Sequence, residues 1–262
     1  MKKILIPALL SVAAYSSSLF AAGAGDLSTM PEMEGKSASG WSGMLGLAAL
    51  SAPEYVGGDD SEGAGLPVII VDYNDRFYFK VNTLGVWLWK PNDSFRIGLA
   101  AKPRKGWESD DGDLLDGRSD RDDQTEFGVN FRWNHEKLTV EGMFLSASDE
   151  SEGSSALLKA RYMFIQNSDM ALIGGVDIEN LDEDIVDFYY GTDGTEVAGT
   201  PVYEGDSVTN TSVMLAVMYN INKEWMAVGG VKATSLGDEI SDSPIVEDDA
   251  YNVIFAGAVW KF

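Results

Sequence analysis

Side chains suited to chemistry are few in this chain. It has one histidine, His135, and no cysteine. Proteolysis by carboxylates needs a His beside them, and ester hydrolysis needs a Ser–His pair. His135 lies in the short turn-forming run Asn134-His135-Glu136 with no suitable partner beside it, so it reads as a solvated turn residue. The acid-rich stretch 108–123 (ESDDGDLLDGRSDRDD) has calcium-binding side chains but lacks the D-x-[DN]-x-[DN]-G order of an EF-hand. Its readings are a solvated acidic loop, a calcium site, or weak divalent bridging to anionic phosphates. With no phosphate-binding glycine loop, metal cluster or nucleophile motif, the expectation is a non-enzyme without cofactor.

A more distinctive set emerges from strand phase. Phe127, Val129, Phe131 and Trp133 alternate with Glu126, Gly128, Asn130 and Arg132. Ala156, Leu158, Ala160, Tyr162 and Phe164 alternate around Lys159 and Arg161 in the same way. This period of two belongs to strands with unlike faces. Phasing every strand by its apolar face puts Lys80, Arg96, Lys102, Arg132, Lys159, Arg161 and Lys232 on one wall, with Glu126 and Glu141. An unpaired Lys or Arg facing lipid near the midplane costs about 2–4 kcal/mol, so these side chains should point inward. Two outcomes follow. Either the charges pair with one another and with inward-folded loop acids, filling the lumen, or they form a cationic constriction that favours anions.

The elements that must carry these residues are twelve strand-like runs: 41–51, 64–73, 76–82, 84–90, 94–102, 124–134, 137–147, 155–166, 169–178, 207–220, 224–235 and 249–262. Their connections alternate. Asn74-Asp75, Pro91-Asn92-Asp93, Asn134-His135-Glu136, Asn167-Ser168 and Asn220-Ile221-Asn222 are short turns. Segments 52–63, 103–123, 148–154, 179–206 and 236–248 are long and acidic; 179–206 holds nine acidic residues and no basic one. This predicts an all-β, transmembrane antiparallel β-barrel of about twelve strands, with short periplasmic turns and long acidic extracellular loops.

Both ends of the chain agree with that architecture. Lys2 and Lys3 precede an apolar run, Ile4–Ala14, and small residues that include Ala21, Ala22 and Ala24. That is a cleaved signal peptide over 1–24, too short for the roughly 20 residues of a membrane helix. Residues 25–40 read as a flexible periplasmic lead-in and 41–262 as the barrel. At the other end Ile254, Ala256, Ala258, Trp260 and Phe262 alternate, and the chain stops on an aromatic. Gly257, Trp260 and Phe262 resemble the signal read by the barrel-assembly machinery, although Phe255 stands where that pattern favours a polar residue. Without Lys2 and Lys3, 19 basic residues become 17 against 42 acidic ones, a net charge of −25. Such a charge excludes nucleic acid as a partner and argues against docking on an anionic membrane surface. The expected surroundings are outer-membrane lipid and lipopolysaccharide.

Several short stretches, in order, resemble the MipA/OmpV family of MltA-interacting outer-membrane barrels. They are Ala52-Pro53-Glu54-Tyr55-Val56-Gly57-Gly58, Leu66-Pro67, Asp75-Arg76-Phe77-Tyr78-Phe79 and Leu84-Gly85-Val86. Gly106-Trp107, Phe188-Tyr189-Tyr190-Gly191, Asp242-Ser243-Pro244-Ile245-Val246 and Ala258-Val259-Trp260-Lys261-Phe262 complete the set. The resemblance implies a barrel that holds a lytic transglycosylase and a murein synthase, both murein-remodelling enzymes, at the outer membrane. Other members of the family are described as porin-like or adhesive, so a small channel with a cationic lumen and a surface adhesin are the alternatives.

Overall fold

A computed structural model describes residues 40–148 and 151–262. The signal peptide and all of the lead-in except Gly40 lie outside the described residues. Twelve antiparallel strands, each paired with its sequence neighbours, close into a barrel through the first and last. They are β1 (Trp41–Pro53), β2 (Ser61–Tyr73), β3 (Phe77–Lys80), β4 (Thr83–Trp89), β5 (Phe95–Arg104) and β6 (Gln124–His135). The second half comprises β7 (Leu138–Ala147), β8 (Ser154–Gln166), β9 (Met170–Leu181), β10 (Val208–Asn220), β11 (Trp225–Ser235) and β12 (Ala250–Lys261). The twelve runs in the sequence thus become twelve strands, of which β1, β2, β5, β8 and β9 extend further than expected at the long-loop end.

Local chemistry explains the turns and irregularities. Asn74 and Asp75 both take left-handed backbone (φ 56° and 52°), which short polar side chains tolerate, and they reverse β2 into β3. A register shift in β4 between Trp87 and Trp89 leaves Leu88 and Trp89 both exposed, and one in β8 does the same for Phe164 and Ile165. The hairpin of β3 and β4 departs from the expectation of two seven-residue strands. β3 has only four residues, and Val81 beyond it sits at φ 58°, where a β-branched residue cannot continue a pleat.

The seam between β1 and β12 relies on close backbone approach. A Cβ at Gly257 would lie 2.5 Å from the carbonyl oxygen of Leu47. Phe262 exchanges two backbone hydrogen bonds with Gly43, at 3.1 and 3.2 Å, so the terminal residue is tied into the sheet. Its ring stacks on Trp260 at 5.4 Å, and both rings face outward. Phe255, the departure from the terminal pattern, points inward and is buried.

The outer surface carries exposed Leu47, Phe77, Leu99, Phe127, Phe144, Leu158, Val213 and Ile254, an apolar wall of the kind a bilayer accepts. Inside, the barrel is divided. Met44, Leu50, Leu66, Val68, Met226, Val228, Val253 and Phe255 form an apolar cluster against β1, β2 and β10–β12. Charged residues occupy the side built by β5–β9. The expectation of a polar lumen therefore holds on one side only; β1, β2 and β12 are apolar on both faces.

Candidate functional site: the interior ion pairs and the capped mouth

Strand register brings the charges together. Arg96 lies opposite Arg132, Arg132 opposite Glu141, Glu141 opposite Lys159, and Lys159 opposite Asp177. Directly opposed side chains in a sheet stand about 5 Å apart, so this row alternates charge around the inner wall from β6 to β9. Arg132 pairs with Glu141, and Arg161 grips both carboxylate oxygens of Asp177. Lys232 reaches Asp177 from β11 at 3.6 Å. Arg96 bonds Asp75 at 3.0 Å and stacks over Trp87 at 5.4 Å, while Lys80 lies over the Tyr78 ring. Higher up, Lys102 meets Glu126 at 3.2 Å. Arg104 bonds Glu126 at 3.0 Å and reaches across the lumen to Glu179 on β9 at 2.9 Å.

Of the nine charged residues singled out by strand phase, Arg96, Glu126, Arg132, Glu141, Lys159 and Arg161 are buried, and Lys80, Lys102 and Lys232 are half-buried. Four partners were not in that set: Asp75, Arg104, Asp177 and Glu179. Asp177 and Glu179 alternate with the exposed Val176 and Ile178, so the same phase rule reaches them. Arg104 falls beyond Pro103, which reads as a strand end, and Asp75 belongs to a turn. With these carboxylates included, the wall is closer to neutral than the phasing alone suggested. Exposure is 2% at Arg132 and 0% at Glu126, so protein atoms rather than water surround both.

The long loops close one mouth. Residues 182–207 carry α1 (Glu183–Tyr190), capped by Asp182, whose side chain accepts from the Ile185 N–H. Residues 236–249 carry α2 (Asp238–Ser241). Neither helix was expected in the acidic segments. Their apolar residues Ile185, Val186, Tyr189 and Ile240 join Tyr55, Trp107, Leu115 and Ile245 in a second buried cluster. Trp107 Nε1 donates to the Tyr189 carbonyl at 2.9 Å, Tyr55 Oη to the Ile245 carbonyl at 2.9 Å, and Ser243 Oγ to the Tyr190 carbonyl at 2.7 Å. These residues come from four of the stretches that carry the family resemblance. Far apart in sequence, they interlock here. Burial raises the phenol pKa of Tyr55, Tyr189 and Tyr190. Glu54 and Asp111 are raised by burial and then by neighbouring carboxylates, and Glu247 by burial and then by Asp59.

The acids of the stretch 108–123 are solvated, with Glu108, Asp110, Asp113, Asp116, Asp120, Asp122 and Asp123 exposed, while the loop is anchored to the cap: Leu115 is wholly buried, and Arg121 stacks on Trp107 and donates to the Phe188 carbonyl. Among the described residues no group of three or more acids or His converges as a metal ion requires. His135 ends β6 and stacks on Trp133 at 5.5 Å.

The comparisons with known proteins agree with the sequence resemblance. The chain is 25% identical over 205 residues to the MltA-interacting protein of Escherichia coli (strain K12), covering 75% of this chain and 81% of that one. The same values hold for the MltA-interacting protein of Shigella flexneri. Among solved structures, the KdgM porin superposes with a TM-score of 0.42 at 11% identity, over 84% of this chain and 99% of that one. The family model described as MltA-interacting protein MipA matches residues 45–262, and the chain belongs to that family.

Proposed function

We propose that this protein is a scaffold of the outer membrane, holding murein-remodelling enzymes at the periplasmic ends of its strands. The observation that carries the reading is an occupied interior. Ion pairs cross one side of the lumen, an apolar cluster fills the other, and the interlocked loops cover one mouth. A barrel filled in this way offers surfaces rather than a pore. The apolar outer wall and the outward aromatics Trp260 and Phe262 support insertion in a bilayer. The family description and the E. coli relative's name support a lytic transglycosylase as partner. Insertion would require the barrel-assembly machinery and bring the loops among lipopolysaccharide.

The porin-like alternative draws on the cations of the inner wall, which would favour anions if the lumen opened. One experiment separates the two. The purified, folded barrel is used to capture proteins from a periplasmic extract and, in parallel, is inserted in planar bilayers. Capture of a lytic transglycosylase with no steady conductance is the expected result. Anion-selective conductance without such capture overturns the scaffold.

A further inference from the structure

Beneath the cap lies a cavity of about 110 Å³ that the scaffold reading does not use. At about 10–15 Å³ per water it has room for roughly eight, about the bulk of one sugar ring. The short β3–β4 hairpin explains how a capped barrel keeps access to it. β3 pairs with β2 over Ile70–Tyr73, and the Ile69 carbonyl accepts from the Val81 N–H at 2.8 Å, so among the described residues Ser61–Val68 have no strand partner on that side. Pairing of β4 with β5 stops at Ala101, leaving Lys102–Arg104 similarly free. The missing strands open a notch three strand spacings across, roughly 14 Å at about 4.8 Å each. Each free edge carries a proline, Pro67 and Pro103, which has no N–H to offer a further strand. The cavity lining runs out to this notch through residues 102–107 on β5 and its extension, and includes exposed Pro103.

Three chemical features define what the cavity accepts. First, two buried polar side chains on its lining have groups with no partner among the described residues: the Tyr190 hydroxyl and the Asn210 amide nitrogen. The Asn210 carbonyl oxygen is already used, accepting from the Gly237 N–H at 3.0 Å. Second, the cations nearby are engaged by carboxylates: Lys102 and Arg104 by Glu126 and Glu179, and Lys105 by Asp123. Third, Tyr55 and Trp107 supply apolar ring surface. A purely apolar ligand would strand the hydroxyl and the amide without hydrogen-bond partners. A charged ligand would have to break an existing ion pair. A neutral ring with hydroxyls on its edge and C–H groups on its faces satisfies all three.

We infer that this cavity is a binding site for one neutral sugar ring, entered through the notch above the β3–β4 hairpin. The Asn210 amide and the Tyr190 hydroxyl hold the ring hydroxyls, and Glu179 is placed to accept from one. The test titrates the whole folded barrel in detergent with D-glucose, D-glucuronate and D-glucosamine and follows binding by calorimetry. Saturable binding of D-glucose, tighter than either charged analogue, is expected. N210D keeps the acceptor for Gly237 but removes the amide donor, and Y190F removes only a hydroxyl. Each should weaken D-glucose binding about tenfold, the equivalent of one hydrogen bond at 1.4 kcal/mol. Heat-modifiable migration on gels checks that both variants are folded. Tighter binding of a charged analogue overturns the neutral-sugar assignment. Absence of saturable D-glucose binding, or binding indifferent to both substitutions in folded protein, overturns the site. Capture of murein enzymes is a separate measurement and stands or falls independently.

Discussion

Asp177 is the residue on which three interior cations converge. Arg161 grips it, Lys232 reaches it, and Lys159 is its cross-strand neighbour. Removing one partner of a buried pair is costly because it strands the other, typically by about 3–5 kcal/mol. Asp177→Asn should therefore lower the temperature at which the barrel loses its folded gel mobility, far more than Asp193→Asn in the exposed loop. Equal midpoints for the two variants would show that the network adds nothing to stability. The raised cap groups predict a pH response at the same scale. Glu54, Asp111 and Glu247 hold their protons more tightly folded than unfolded. Their protonated forms favour the packed cap, so cap stability rises as pH falls through those raised values and is lost again toward neutrality. The buried tyrosines act at the other extreme: their contribution is present below about pH 10 and lost above it, as the phenols ionise. Protection factors of the cap amides, taken against the intrinsic exchange rate at each pH, should rise as pH falls from neutrality through the raised carboxyl values and drop above pH 10. Protection factors that fall on acidification refute the first half.

Closure of the barrel depends on β12. Its outward alternation faces an apolar medium while Val253, Phe255 and Val259 face an apolar interior, so the strand is hydrophobic on both sides. Deleting Phe262 removes a ring stacked on Trp260 and both backbone bonds to Gly43. Heat-modifiable, membrane-inserted protein should fall sharply on this deletion; wild-type levels would refute the role of the terminal residue. Gly257→Val should have a comparable effect by a different route, since its side chain meets the Leu47 backbone across the seam. The β3–β4 hairpin shows the opposite behaviour. Four residues suffice for β3 because the turn at Val81 and the free edges of β2 and β5 leave no ladder to continue.

For the whole molecule, the sorting of connections predicts an orientation. Short turns gather at one end and the interlocked acidic loops at the other, so the cap should face the cell exterior. Epitope tags at Asp113 or Asp193 should be reachable by antibody on intact cells, and tags at Asn92 or Asn222 should not. The reverse pattern inverts the topology. In that arrangement a scaffold would engage partners through the short turns, where His135 and Trp133 stack.

Strand number and closure were legible in the sequence because a two-residue period and alternating connection lengths are local quantities. Phase alone also put Arg132, Lys159, Arg161 and Glu126 on the inner wall, since lipid excludes an unpaired charge from the other face. What escaped was non-local. Arg104 finds Glu179 only because closing the sheet sets β5 across from β9, and no spacing along the chain encodes that distance. The cap is the clearest case. Trp107, Tyr189, Ser243 and Tyr55 read as parts of polar, acidic segments, because each loop contributes too few apolar residues to form a core by itself. Tertiary structure brings the loops to one mouth, where those scattered side chains bury one another. The same is true of the apolar half of the lumen. A residue such as Val253 is apolar in either setting, and only closure of the barrel decides that it faces protein and not lipid.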